Sequence, residues 1–137
     1  MACSYLDLQD KKIGSLYRPN LTEDIMGIAK EWQRSVEVMA YWSDKGAINI
    51  RYEDLVADPC SVLTKVCEFL SLSYSDQMLD YYKHNDEPEE FKAWKGKTFE
   101  PVAMSSVGRY EADLTKEQIQ IFESAAGDAL RLGGYEL

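Results

Sequence analysis

The sequence predicts a predominantly α-helical chain with four to five helices and one clear strand near residues 47–52. Three observations point there. Apolar residues recur at steps of three and four, as in Ile25, Ile28, Ala29, Trp32, Val36, Met39 and Ala40. Residues that cap helices stand just ahead of such stretches. Only one segment, Ala47-Ile48-Asn49-Ile50-Arg51-Tyr52, alternates as a strand does, with Ile48, Ile50 and Tyr52 on one face.

Taken in order, residues 1–17 mix apolar and polar side chains around Tyr5, Leu6, Leu8, Ile13, Leu16 and Tyr17, which suits a helix followed by a loop. Arg18-Pro19-Asn20 interrupts the pattern. Thr22 is the expected N-cap of a long helix, with Glu23 and Asp24 in its first turn, where the helix dipole favours anions. That helix ends near Lys45-Gly46. After the strand, Asp58 caps a helix and Pro59 takes its first position, where a missing N–H has no partner anyway. Val62, Leu63, Val66, Phe69 and Leu70 form the buried face of this helix. Ser75 can cap a further helix carrying Met78, Leu79 and Tyr82. Residues 85–113 are the least regular: an acidic run, Asp86-Glu87-Pro88-Glu89-Glu90, reads as a solvated helix start, and Trp94, Phe99, Pro101 and Val102 read as a surface loop. Thr115 with Gln118 makes a capping box for the last helix, and Gly133-Gly134 stops it. No repeat, low-complexity segment or linker divides the chain, so residues 1–137 are expected to form a single unit.

A lone strand leaves its ladder groups unpaired on both sides. Its partner therefore comes from residues 1–17 or 97–104, from another chain, or from sequence outside this one.

Composition narrows the function. Apolar residues make up 45% of the 137 residues, enough for one core. Against 15 Lys and Arg stand 24 Asp and Glu, a net charge of −9. Nucleic acid and anionic membrane surfaces are disfavoured as partners. No apolar run reaches the ~20 residues that cross a bilayer. The first residues have neither a basic segment nor a long apolar one, as a signal peptide would. Cys3, Cys60 and Cys67 form no CxxC motif, and with the single His84 they do not assemble a metal site. They read as small buried residues in a reducing, cytoplasmic setting, with Cys60 and Cys67 on one helix face. Lys95-Gly96-Lys97-Thr98 has the ending of a phosphate-binding P-loop, but the glycine such a loop needs five residues before Gly96 is Phe91. It reads as a surface turn.

The informative segment is Ile50-Arg51-Tyr52-Glu53-Asp54-Leu55-Val56-Ala57-Asp58-Pro59, followed by Val62-Leu63 and Cys67-Glu68-Phe69-Leu70. It resembles the strand-to-helix unit of sulfotransferases that use 3′-phosphoadenosine 5′-phosphosulfate (PAPS). Trp32 on the preceding helix resembles bacterial and tyrosylprotein-type members. Ser105-Ser106-Val107-Gly108-Arg109-Tyr110 resembles their late Ser-Gly-aromatic segment, and Gly133-Gly134-Tyr135 their Leu-Gly-Tyr close. The resemblance spans roughly residues 4–137.

It implies that the chain is a predominantly α-helical fragment, the C-terminal portion, of an α/β P-loop-like sulfotransferase domain. The reaction it implies is sulfuryl transfer from PAPS to a hydroxyl or amine. Tyr52 would lie beside the adenine, or else be a half-buried residue at a strand end. Ser105, Ser106 and Arg109 would contact the 3′-phosphate, or else form a polar turn before the last helix. Ser4 resembles the family serine that binds the same phosphate. Where cytosolic members have Arg-Lys-Gly, this chain has Ala103-Met104-Ser105. The loop for the 5′-phosphosulfate and the catalytic base are expected to lie before Met1. No catalytic residue is therefore assigned, and His84 reads as a surface or capping histidine. Two roles follow: an enzyme fragment inactive without its N-terminal half, or a non-catalytic interaction module that forms a homo-oligomer.

Overall fold

The computed structural model describes residues 1–9, 22, 24–88, 92 and 95–136. Among them the chain is mostly helical and divides into two compact units.

The first unit comprises residues 1–47 and 108–137. It holds α1 (Ala2–Gln9), α2 (Ile25–Ser43), α5 (Tyr110–Asp113) and α6 (Lys116–Leu132). The cap of α2 is Asp24, two residues beyond the expected Thr22; its carboxylate accepts from Gly27 N at 2.8 Å. Thr22 instead donates to Glu31 Oε1, a carboxylate within the helix, so its hydroxyl is taken. The capping box of α6 forms as expected. Gln118 N donates to Thr115 Oγ1 at 3.2 Å, and Thr115 N donates to Gln118 Oε1 at 2.8 Å.

The core of this unit lies between α2 and α6. Ile28 and Ala29 are fully buried, as is Ala126, with Val36 and Ala129 nearly so. Small residues on α6 let a β-branched ridge of α2 approach closely. Trp32 sits between Phe122, at 5.8 Å between ring centres, and Tyr135, at 5.9 Å. Tyr135 reaches it because the chain reverses at Gly134 (φ 77°), and a Cβ on Gly133 would stand 3.2 Å from the tyrosine ring. The Gly-Gly-Tyr ending is thus a helix stop that folds an aromatic ring back onto the core.

The second unit comprises residues 48–107. It holds α3 (Tyr52–Ala57), α4 (Pro59–Phe69) and three 3₁₀ segments, Asp76–His84, Gly96–Phe99 and Met104–Ser106. Asp58 caps α4 as expected, accepting from Ser61 N at 3.0 Å. Cys67 is buried and its thiol meets Met78 Sδ at 3.8 Å. Cys60 is exposed rather than buried, because its place in the first turn leaves it at the helix end. Ser75 caps its segment, as expected, but the segment is a 3₁₀ helix with a break at Asp80.

The expected strand at residues 47–52 is not formed. No strand occurs among the described residues: 47–51 have no strand assignment, and Tyr52 already opens α3. The physical reason is the absence of a ladder. Alternating isoleucines favour an extended backbone, but a strand needs a neighbour. Of the two partners expected within the chain, residues 97–104 hold parts of two 3₁₀ segments with no strand between them, Ala2–Gln9 is helical, and 10–17 lie outside the described residues. Glu53 and Asp54 meanwhile suit a helix's first turn. Of the acidic run, Asp86, Glu87 and Pro88 are not helical, and Glu89 and Glu90 lie outside the described residues, as do Arg18, Pro19, Asn20, Glu23 and Trp94.

Candidate functional site

The residues expected to bind a nucleotide fall in both units. Tyr52, Ser105 and Ser106 belong to the second; Ser4 and Arg109 belong to the first.

In the second unit Tyr52 is the first residue of α3, with 46% of its surface exposed. α3 packs on the Met104–Ser106 turn. Ser105 is exposed and Ser106 half-buried. Lys97 Nζ donates to Ser106 Oγ, bridging nine positions of sequence. Lys97 stands in the Gly96–Phe99 turn, which side-chain bonds hold in place. Asn85 Nδ2 donates to Thr98 O at 3.0 Å, Thr98 Oγ1 to Lys95 O at 2.8 Å, and Tyr81 to Glu100 O at 2.7 Å. Lys95 pairs with Glu87 at 2.9 Å, and Lys92 lies 5.1 Å over the Phe99 ring. Burial pushes the Tyr81 hydroxyl's pKa above its ordinary value, and Tyr52, Tyr82 and Glu100 add to the effect. Tyr74 is also pushed up, by the Cys60 thiol first, then by burial and by Asp76, although its hydroxyl makes no hydrogen bond of normal geometry among the described residues.

In the first unit Ser4 is exposed in the opening turn of α1. Arg109 precedes α5, and its guanidinium is shared by two carboxylates. Nη2 lies 2.8 Å from Asp7 Oδ2 and 2.6 Å from Asp113 Oδ2, while Nε donates to Asp113 at 2.8 Å. Asp7 and then Asp113 raise its pKa further, so it stays charged. This cluster ties α1 to α5 and carries a net charge of −1, which does not attract an anion.

His84 is exposed at the end of its 3₁₀ helix. Among the described residues no group of His, Cys, Asp or Glu is placed to hold a metal ion, and no helix is long and apolar enough to cross a membrane.

A family model described as the sulfotransferase family matches residues 3–76, just over half of the chain. The chain belongs to the sulfotransferase family. The match includes Ser4, Trp32 and the Tyr52-Glu53-Asp54-Leu55 segment with Asp58-Pro59; Ser105, Ser106 and Arg109 lie beyond it. Neither the curated proteins nor the solved structures contain a match.

Sequence reasoning set Lys97 aside with the failed P-loop pattern, and it missed the two carboxylates on Arg109. Asp7 and Asp113 are remote in sequence, 106 positions apart, and only the packing of α1 on α5 joins them. The spacing of Asp113 four residues after Arg109 was a usable signal, since such pairs face each other on a helix.

Proposed function

We propose that this sulfotransferase-family chain carries part of the binding surface for the nucleotide of PAPS, as the C-terminal portion of an α/β, P-loop-like domain of the bacterial or tyrosylprotein type. The observation that carries this is the packing of α3, which begins at the exposed Tyr52, on the turn that bears Ser105 and Ser106. The Tyr52 ring stacks on the adenine, a contact worth ~1–3 kcal/mol. The Ser105 and Ser106 hydroxyls are donors for a phosphate oxygen. Ser4, an exposed hydroxyl of the first unit, is a phosphate contact on the family resemblance alone. When bound, PAPS supplies the sulfuryl group; the residues of this chain orient its nucleotide.

These 137 residues hold neither a glycine-rich phosphate loop nor an assigned base, so the chain alone transfers no sulfuryl group. Incubation with PAPS and a broad panel of hydroxyl and amine acceptors is expected to give no turnover, and clear turnover refutes this part of the reading. Calorimetric titration with adenosine 3′,5′-bisphosphate is expected to show millimolar binding that Tyr52→Ala abolishes. Weak binding unchanged by that substitution places the adenine elsewhere.

A second reading is a non-catalytic module that self-associates. Exposed Ile48 and Ile50 in the second unit, and exposed Tyr41 and Trp42 in the first, favour it. Sedimentation at micromolar concentration then shows a dimer or larger species; a clean monomer removes this reading.

A further inference from the structure

We propose that Lys97, acting with the hydroxyls of Ser105 and Ser106, is the cationic contact for a phosphate monoester in the second unit. The inference rests on the nucleotide-binding reading above and names the charge that reading lacked.

Three features carry it. The first is the Lys97 to Ser106 hydrogen bond itself. An ammonium has three donors, and this bond uses one. Because Ser106 Oγ accepts from Lys97, its own proton is left to donate. Exposed Ser105 is the next residue in sequence, so the turn that meets the ammonium carries a second hydroxyl.

The second feature is the partner chosen. Elsewhere in this unit Lys83 pairs with Asp80 at 2.8 Å, Lys95 with Glu87 at 2.9 Å, and Arg51 approaches Glu53 at 3.9 Å. Among the described residues Lys97 meets no carboxylate within ion-pair distance; it meets a neutral hydroxyl. On a chain of net charge −9 its charge remains available to an incoming anion. Arg109 offers the contrast, since a phosphate would have to displace both Asp7 and Asp113.

The third feature is preorganisation. Asn85, Thr98 and Lys95 fix the backbone of the Gly96–Phe99 turn, and α3 supports the Met104–Ser106 turn. Less ordering is then lost on binding than for a lysine on a loose loop.

The test is a ¹H–¹⁵N NMR titration of the full chain with adenosine 3′,5′-bisphosphate, adenosine and inorganic phosphate. Wild type is compared with Lys97→Gln, which removes the charge and keeps a donor, and with Ser106→Ala. Lys97 is exposed, so the fold is expected to survive, and the unchanged spectrum away from the turn checks this. The expected result is that the bisphosphate shifts the amides of residues 96–98 and 105–106. Lys97→Gln then weakens it about tenfold or more, as loss of a charge-assisted hydrogen bond does, while adenosine binds both proteins alike. Bisphosphate binding unchanged by Lys97→Gln overturns the inference and leaves the nucleotide reading standing. Inorganic phosphate that shifts the turn only when Lys97 is present, with no nucleotide binding, supports the lysine and refutes the nucleotide reading. No response to any of the three refutes both.

Discussion

The two units hold themselves together by different means. The first is built on apolar interlock: Ile28, Ala29, Ala126 and Ala129 seal the α2–α6 seam, and Trp32 is bracketed by Phe122 and Tyr135. The second buries little beyond Val56 and Cys67 and leaves Phe69, Leu70, Leu72 and Met104 exposed. Its turns are tied instead by side-chain hydrogen bonds among Tyr81, Asn85, Glu87, Lys95, Thr98 and Glu100. A seam of fully buried side chains is costly to open, whereas partly exposed hydrogen bonds exchange with water at little net cost.

The largest effect separating the units is expected at Ile28. Replacing this fully buried residue by alanine should cost about 2–5 kcal/mol and lower the denaturant midpoint sharply. Val56→Ala, which removes less from a looser setting, should cost less in the same urea titration. Equal losses would mean that the second unit is packed as tightly as the first.

Hydrogen exchange sharpens the contrast without mutation. Amides in the middle of α2 and α6 should be the slowest, and those of the 3₁₀ segments between 76 and 106 among the fastest, because local opening follows the density of buried contacts. The reverse order would break the comparison.

Alkaline pH should act mainly on the second unit. Tyr74 and Tyr81 both have folded-state pKa values above the ordinary tyrosine value of about 10. Between the unfolded and folded values the native state holds more protons than the unfolded state, so stability falls as pH rises. Their contribution is complete below pH about 10 and is lost on going higher. Thermal melts from pH 9 to 11 should show the loss, and Tyr81→Phe should reduce it. A flat profile contradicts the shifts.

The smallest effect is a gain. Ser71 follows α4 with φ 56°, a left-handed conformation that glycine adopts without strain. Ser71→Gly should stabilise by up to about 1 kcal/mol, read from the urea midpoint. A loss would mean that the serine side chain holds the turn.

The sequence was most legible where one local interaction decides the outcome. Asp58-Pro59 and Thr115 with Gln118 start helices where the residues alone say they should, because a cap needs only its own next three residues. The Trp32 stripe is legible for the same reason, since a helix face is periodic. The segment 47–51 misled because alternation reports extended backbone and not pairing, and pairing depends on residues far away. The path of residues 96–106 was illegible too: two 3₁₀ turns bring Lys97 to Ser106, and no periodicity announces them. Tyr52, Ser105 and Ser106, which the resemblance named, fall in one unit. Arg109 carried the right chemistry for an anion, but its two aspartates are visible only in the folded chain.

The central claim is a division of labour between two cations: Arg109 ties α1 to α5, and Lys97 meets the phosphate. It is tested most directly by measuring stability and adenosine 3′,5′-bisphosphate affinity side by side in Arg109→Gln and Lys97→Gln. The account predicts that Arg109→Gln loses about 1 kcal/mol of stability with affinity intact, and that Lys97→Gln keeps stability and loses about tenfold or more in affinity. Affinity lost with Arg109→Gln and retained with Lys97→Gln would contradict it.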